Sequence, residues 1–223
     1  MAWRGAPLPG PACGAMMVNF DGGPGQATCP PPAPARNESD MDLIRTDRLL
    51  LRTWRDDDAA PLHALNQDPR VLAFLPGPMS IAQVERFMQV HNAMQRDSGM
   101  GYLALELAGS GALAGFVGLK PHADTLPCAP CIDIGWRLGA AHWGNGYAQE
   151  GAAAWLRYGF ERLGLDEIVS FTVADNLRSR RLMERLGMRR DPHGDFDHPA
   201  LAPGHRLARH VLYRLARPAG GAV

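Results

Sequence analysis

The sequence predicts a single α/β domain behind a tail of different composition. Along the chain, segments with the alternating pattern of strands alternate with segments whose apolar residues recur at helical spacing. The chain has no internal repeat. Its 223 residues, 46% of them apolar, are enough for one ordinary domain that folds without disulfides or a metal. We predict that this domain spans residues 42–217 and that residues 218–223 form a disordered end.

The first forty residues are rich in Pro, Gly and Ala and include the run Pro30-Pro31-Pro32. Few apolar positions recur there, so burial cannot offset the entropy lost on ordering. We therefore expect residues 1–40 to be a disordered tail. Met41 lies directly before the patterned region and leaves open a translation start at that point.

The composition argues against several classes of protein. The chain carries 23 Lys and Arg against 23 Asp and Glu, so it lacks the excess positive charge on which general nucleic-acid binding rests. A run of about 18 apolar residues, as in a transmembrane helix, is missing, and Pro and Gly interrupt the start before a signal peptide could form. Four cysteines are too few for a disulfide scaffold. We expect a cytoplasmic protein without nucleic-acid or membrane partners, and the sequence leaves open whether it forms a homodimer.

The first half of the domain predicts a strand, two helices and a hairpin. Residues 48–54 have the apolar run of a strand, and acidic residues from Asp56 begin a helix that extends to about Asn66. Ser80 and Gln83 form a capping box that begins a second helix, which ends at Gly99. Strands at 102–107 and 113–120 follow, joined by a glycine-containing turn.

The second half predicts strands at 131–138, 167–174 and 209–215, a long helix at about 147–163 and a short helix at about 177–186. Alternate residues of the strand 131–138 face opposite sides of the sheet. One side carries Ile132, Ile134, Trp136 and Leu138, and the other carries Asp133, Gly135 and Arg137.

A glycine motif joins the strand that ends at Leu138 to the helix that begins near Tyr147. Gly144 and Gly146 allow a tight turn whose backbone N–H groups point the same way, and the positive end of the helix dipole lies behind them. This arrangement suits an anionic ligand, although an ordinary tight turn has the same pattern. The third glycine of a dinucleotide-binding motif is missing.

This stretch resembles the GNAT acetyltransferases, which use acetyl-CoA to acetylate amines. Leu138 and residues 143–148 occupy the places of the family's apolar strand residue and its Q/R-x-x-G-x-G/A loop, with Trp143 in place of the initial Gln or Arg. Residues 133–138 and 175–188 are similar to the RimJ/RimL-like branch, which acetylates the N-termini of ribosomal proteins. The resemblance covers about residues 42–217. It implies the GNAT fold: a mixed, mostly antiparallel sheet of six to seven strands, splayed at the centre and flanked by about four helices.

The resemblance also implies acetyl-CoA as co-substrate, no metal, and a set of cofactor-binding residues. The loop would hold the pyrophosphate of CoA, and Asn176 would bind the pantetheine arm or cap the short helix. The implied residues are Leu138, Trp143, Gly144, Asn145, Gly146, Tyr147, Ala148 and Asn176.

Catalytic roles follow from the same resemblance. Ser179 matches a serine that some relatives place near the sulfur, although a solvent-facing helix serine would look the same in the sequence. Met183 holds the place where many relatives have a tyrosine that protonates the leaving thiolate. For the general base we favour Asp133, then Asp197 and His198, the last two expected in a loop between the final strands. Each could equally be a solvated charge.

These observations predict an N-acetyltransferase that moves acetyl directly to a primary amine, either a peptide N-terminus or a small amine. A non-catalytic acyl-CoA-binding or regulatory protein on the same fold is the alternative, because the tyrosine is missing. A nucleic-acid-binding module on the arginine-rich helix is a weaker third. Cys128 and Cys131 form a C-x-x-C pair, but a strand follows it instead of a helix, so we interpret them as loop thiols.

Overall fold

A computed structural model describes residues 42–219 of the chain; the predicted tail 1–40 and most of the predicted end 218–223 lie outside the described residues. The described residues form a sheet of eight strands with five α-helices. The strands are β1 Asp42–Arg45, β2 Leu49–Arg52, β3 Gly101–Leu107, β4 Leu113–His122, β5 Cys131–Leu138, β6 Glu167–Val173, β7 Arg189–Asp197 and β8 Arg209–Ala216. The helices are α1 Ala59–Leu65, α2 Pro69–Leu72, α3 Ile81–Ser98, α4 Tyr147–Glu161 and α5 Leu177–Arg185.

The sheet is antiparallel except at its centre. Its strand order is β1-β2-β3-β4-β5-β6-β8-β7, and β5 and β6 are its parallel pair, joined through the crossover helix α4. These two strands pair at Asp133 and Val169, and Ser170 Oγ donates a hydrogen bond to the Ile134 carbonyl at 2.9 Å. Beyond this point the ladder stops and the strands diverge, which confirms the splayed mixed sheet that the resemblance implied.

Each face of the sheet packs against its own helices. On one face Trp155 and Leu156 of α4 pack with Ile134 in the larger core cluster. On the other face Phe87 of α3 packs with Tyr102 and its neighbours. The two-residue period of β5 divides its side chains between these layers, as predicted.

The structure has more elements than the expected six to seven strands and about four helices. The additional β1 is only four residues long and pairs with β2, so its sequence carries little periodicity. The additional α2 begins at Pro69, shortly after the predicted end of the first helix near Asn66. Asp68 accepts a hydrogen bond from the Arg70 N–H as the N-cap, and Pro69 suits the first helical position.

The expected loop between the last two strands begins later than predicted. Asp197 lies within β7, because Phe196 and Asp197 resume pairing with His210 and Arg209 of β8 after an irregularity in the ladder. The predicted placement of Asp197 in a loop is therefore wrong. Among residues 42–219, the structure contains no helix that is both long and apolar enough to cross a bilayer.

Candidate functional site

A cavity of about 530 Å³ opens where β5 and β6 diverge. Trp136 and Leu138 border it from β5, and Phe171 and Thr172 border it from β6. It is closed on one side by residues 70–75 around α2 and on the other by the start of α5. We call it the central cavity. Its position follows from the register, because strands that stop pairing leave space between them.

A second cavity of about 320 Å³ lies in front of the glycine loop and the start of α4. We call it the loop cavity. It shares Trp136, Leu138, Trp143 and Arg178 with the central cavity. The two cavities are therefore adjacent and border one continuous site. The cofactor-binding residues named from the sequence lie along it, except that Asn145 does not line either cavity.

The loop conformation requires its glycines. Gly144 and Gly146 have φ values of 82° and 79°, in the left-handed region that residues with a Cβ rarely adopt. Gly146 is the N-cap of α4, and no side chain caps this helix end. The N–H groups of the first turn have no partner within the helix. They are consequently available to an anion, and the helix dipole favours a negative charge there.

Arg48, which sequence reasoning missed, anchors this loop to the beginning of β2. Its side chain donates to the Asn145 carbonyl at 3.0 Å and to Glu150 Oε2 at 2.7 Å, and its backbone N–H donates to Glu150 Oε1 at 3.1 Å. Partial burial would raise the pKa of Glu150, but the hydrogen bonds from Thr46 and Arg48 outweigh it and lower that pKa. Glu150 therefore holds the loop as a carboxylate. No local signal could have paired residues about a hundred positions apart.

Trp143 connects the loop to two other elements. Its indole N–H donates to the Leu138 carbonyl at 2.9 Å, which ties the loop to the end of β5. The guanidinium of Arg178, at the start of α5, lies over its ring. The tryptophan that departs from the usual family pattern is thus a packing and hydrogen-bonding residue at the junction of the two cavities.

Asn176 caps α5. Its Oδ1 accepts the Ser179 N–H at 3.2 Å, and its Nδ2 donates to Thr172 Oγ1 at 3.0 Å. Of the two roles expected for this residue, the cap is the one present in the structure. The cap also fixes the start of α5 against β6, beside the central cavity.

Ser179 lies in the wall of the central cavity and is 5% exposed. A solvent-facing position, the alternative left open by the sequence, does not fit this burial. Its hydroxyl has no hydrogen-bond partner among the described residues. A buried polar group without a partner lowers the stability of the folded state, so this hydroxyl is an exception. Met183, in contrast, is fully buried in the core. Tyrosine does not occur among the described residues that line the central cavity.

Asp133 lies where β5 still pairs with β6, before the two strands diverge, and does not line either cavity. It is 2% exposed, accepts the Tyr102 hydroxyl at 2.6 Å, and is bonded to His122 Nε2 at 2.5 Å. Burial, followed by the charge and hydrogen bond of Asp133, raises the pKa of Tyr102 well above its usual value. Both carboxylate oxygens of Asp133 are therefore engaged.

The other two candidate bases also lie outside the cavity walls. The Asp197 side chain is 72% exposed and pairs with Arg209 at 3.6 Å. His198 is buried, and its Nδ1 accepts the Ala200 N–H at 3.2 Å. Burial, with the charges of His210 and His122, lowers the pKa of His198 to about 4. The structure thus brings the loop, Asn176 and Ser179 together and leaves Asp133, Asp197 and His198 apart from them.

The C-x-x-C pair lies at the end of the β4–β5 connection, with the two Sγ atoms 3.4 Å apart. Within residues 42–219, no group of three or more His, Cys, Asp or Glu side chains is arranged to hold a metal ion.

Comparisons with known proteins agree with this geometry. Residues 48–189 match the family described as "Acetyltransferase (GNAT) domain". The chain is 31% identical over 144 residues to the uncharacterized protein YkkB of Bacillus subtilis, covering 64% of this chain and 83% of that protein. It is 29% identical over 151 residues to the uncharacterized N-acetyltransferase YoaA of the same organism, covering 67% and 84%.

Solved structures show the same fold. An acetyltransferase from Agrobacterium tumefaciens matches with a TM-score of 0.63 and 27% identity, covering 87% of this chain and 99% of its own. RimL, a ribosomal L7/L12 α-N-protein acetyltransferase in complex with coenzyme A, matches with a TM-score of 0.62 and 16% identity, covering 77% and 95%. The family match spans more than half of the chain. It includes the glycine loop, the strands β5 and β6 that border the cavities, and α5. This chain therefore belongs to the GNAT family of N-acetyltransferases, the acyltransferases that use acetyl-CoA.

Proposed function

We propose that this enzyme passes acetyl directly to a weakly basic primary amine, such as a peptide N-terminus or a small amine. The observation that carries this proposal is the charge of the central cavity. Among the described residues that line it, Asp175 is the sole carboxylate, against the arginines Arg70, Arg137 and Arg178. A strongly basic or polycationic acceptor would require more carboxylates, because they both bind the cation and assist its deprotonation.

The loop cavity supports the binding of CoA in this proposal. The first-turn N–H groups of α4 and the turn through Gly144 and Gly146 would bind the pyrophosphate. The diverging end of β5, at Leu138, would lie along the pantetheine arm, with Asn176 holding the opposite wall in place. The thioester would then reach the central cavity.

Ser179 is our candidate for protonating the leaving sulfur. Ser179 lines the central cavity, and its buried hydroxyl has no hydrogen-bond partner among the described residues, so its proton is not committed to another acceptor. A thiolate with a pKa of about 8.5 needs only modest help in leaving, so the absence of the usual tyrosine does not exclude activity.

The preference for a weaker amine has a simple energetic basis. An α-amino group with a pKa of about 8 is ~10% neutral at pH 7, whereas a lysine with a pKa of about 10.4 is neutral to only ~0.04%. Deprotonating the lysine to an equal extent costs about 3 kcal/mol more. The acidic candidates for a base are engaged or distant: Asp133 is bonded on both oxygens, and Asp197 points to solvent. An α-amine is therefore the better match, and the likeness of two segments to the RimJ/RimL-like branch points to a peptide N-terminus.

The deciding experiment compares kcat/KM for two peptides of the same sequence context. One has a free N-terminus and no lysine, and the other is N-blocked and carries one lysine. We expect the first to be preferred, and a small-amine panel should separate peptides from free amines. A clear preference for the blocked lysine peptide would overturn the acceptor class. Tight acetyl-CoA binding without turnover of any amine would support the non-catalytic alternative.

A further inference from the structure

A buried histidine at the beginning of β8, His210, borders the central cavity together with Ser179. It is 2% exposed, and its ring packs against Phe171 and Phe196 at centroid distances of 5.8 and 5.7 Å. The pairing of β8 with both β6 and β7 places this residue there, at register positions opposite Val173 and Phe196. An imidazole and a free hydroxyl therefore belong to the wall of one cavity.

The hydrogen bond of His210 determines which ring nitrogen is basic. Its Nδ1 lies 3.0 Å from the carbonyl oxygen of Ala208. A carbonyl oxygen can only accept, so Nδ1 carries the proton and Nε2 of the neutral ring keeps its lone pair. Within residues 42–219, Nε2 of His210 makes no hydrogen bond; the ring is bonded at Nδ1. The remaining basic nitrogen is consequently available to a group in the cavity.

Burial keeps this ring neutral. It lowers the pKa of His210, while the hydrogen bond to Ala208 and the charge of Asp197 act more weakly in the opposite direction. Three charged or titratable groups come from neighbouring strands: Asp197 at the end of β7, His198 directly after it, and His122 of β4 beyond His198. Four more line the cavity: Arg70, Arg137, Asp175 and Arg178.

His198, the neighbouring histidine, cannot act as this base unless its tautomer changes. Because Nδ1 of His198 accepts the Ala200 N–H, its neutral ring carries the proton on Nε2 and has no free lone pair. His198 also does not line the cavity. Of these two histidines, His210 is the one that combines a free lone pair with a place in the cavity wall.

We propose that Nε2 of His210 is the general base of this enzyme, a proposal that rests on the function proposed above. The neutral amine attacks the thioester carbonyl and forms the C–N bond, which makes its nitrogen cationic and more acidic. Nε2 takes one proton from that nitrogen. The C–S bond then breaks, the amide forms, and the CoA thiolate takes a proton from Ser179. His210 releases its proton to solvent and Ser179 regains one from solvent, so that amine and acetyl-CoA become amide and CoA in balance.

The test uses His210→Asn in the full chain. An asparagine amide can keep a donor toward the Ala208 carbonyl while it removes the basic nitrogen. We expect kcat to fall about 100-fold, the low end of the ~10²–10⁴ range for general acid–base catalysis. The Kd for CoA and the melting temperature should stay near the wild-type values. His193→Asn is the matched control, since His193 is exposed on β7 and does not line either cavity.

The pH profile separates a base from a structural residue. After division by the neutral fraction of the amine, kcat/KM of the wild type should fall on the acid side of pH 6.5, where His210 becomes protonated, and this limb should vanish in His210→Asn. Unchanged kcat and an unchanged acid limb, with chemistry rate-limiting in single turnover, would overturn the proposal. So would an NMR spectrum of the wild type that shows the proton of His210 on Nε2 at pH 7, a readout that holds even if the variant folds poorly. A wild type that acetylates no amine would instead refute the proposed function, and with it this role.

Discussion

The guanidinium of Arg178 lies 3.8 Å from the centroid of the Trp143 ring. This contact joins the first turn of α5 to the glycine loop, and both residues line the central cavity and the loop cavity. It places a permanent positive charge beside the part of the site that we expect to hold phosphates. The aromatic face of Trp143 thereby orients a cation that the sequence showed only as one member of an arginine-rich helix.

We predict that Arg178→Ala weakens CoA binding. Loss of a cation–π contact at an exposed site costs about 0.5–1 kcal/mol, and loss of the charge near phosphates adds to it, so Kd should rise about three- to tenfold. Isothermal titration calorimetry at two salt concentrations measures this and should show a smaller salt dependence for the variant. Arg157→Ala, which removes an exposed arginine of α4 away from both cavities, is the control. Equal affinities for the two variants would contradict the prediction.

Gly146→Val should weaken both the fold and cofactor binding. A side chain at φ 79° strains the backbone by about 1–2 kcal/mol, and more for a β-branched residue. The same substitution at Gly164, with φ 70° in the connection after α4, imposes similar strain away from the cavities. We expect both variants to melt earlier, but only Gly146→Val to lose at least about tenfold (~1.4 kcal/mol) of CoA affinity. If Gly164→Val lost as much, the effect would be one of global stability.

Ser179→Ala should lower kcat without changing the KM for acetyl-CoA, because proton donation to sulfur acts in the transition state. We expect a decrease of about tenfold, below the usual range for acid catalysis, since a thiol with a pKa of about 8.5 leaves readily. The melting temperature should not fall, because the hydroxyl has no partner to lose among the described residues. Ser170→Ala, which loses the bond to the Ile134 carbonyl, should cost about 1 kcal/mol of stability. Wild-type turnover of Ser179→Ala in single-turnover experiments would remove the serine from the mechanism.

The acid stability of the protein should depend on His91. Burial, followed by the charge of Lys120, lowers the pKa of His91 to about 3, from 6.5 in its ordinary state. Its Nδ1 accepts the Tyr102 N–H at 3.1 Å, so the folded state holds the neutral ring. Between pH 6.5 and 3 the unfolded chain binds this proton and the folded chain does not, so the free energy of unfolding falls as the pH falls, by up to ~1.4 kcal/mol per pH unit.

His91→Asn keeps an acceptor for the Tyr102 N–H and removes the titration. Urea unfolding between pH 4 and 7 should therefore show a shallower loss of stability in this variant than in the wild type. His193→Asn, at an exposed position, should keep the wild-type slope. Identical slopes of unfolding free energy against pH for His91→Asn and wild type would contradict the prediction. Other groups, such as His198 with its pKa lowered to about 4, would then cause the loss of stability in acid.

Features that depend on neighbouring residues were predictable. The capping box of α3 is present, with the Gln83 N–H donating to Ser80 Oγ at 3.3 Å and the Ser80 N–H donating to Gln83 Oε1 at 2.8 Å. The start of α4 at Tyr147 and the end of β5 at Leu138 are where the glycine motif indicated. Such signals are read within four residues, so no tertiary information is required.

The short elements were less predictable. Pairing across the sheet, and not periodicity, creates β1 and the end of β7, which is why Asp197 lies in a strand. The same holds for Arg48, whose contacts with the glycine loop cross from β2 to the start of α4. A cross-strand or loop-to-strand contact leaves no trace in the local sequence of either partner.

By itself, the sequence determined the family, the order of the main elements and the position of the cofactor loop, because each rests on short-range patterns and on residue types that only a few conformations tolerate. Tertiary structure alone decided which ionisable groups reach the cavity. It engaged Asp133 with Tyr102 and His122, and it placed His210 in the wall of the same cavity as Ser179, where β5 and β6 part. The physical reason is that a side chain's role as base or acid depends on burial and on partners from distant strands, and the folded sheet alone brings those together.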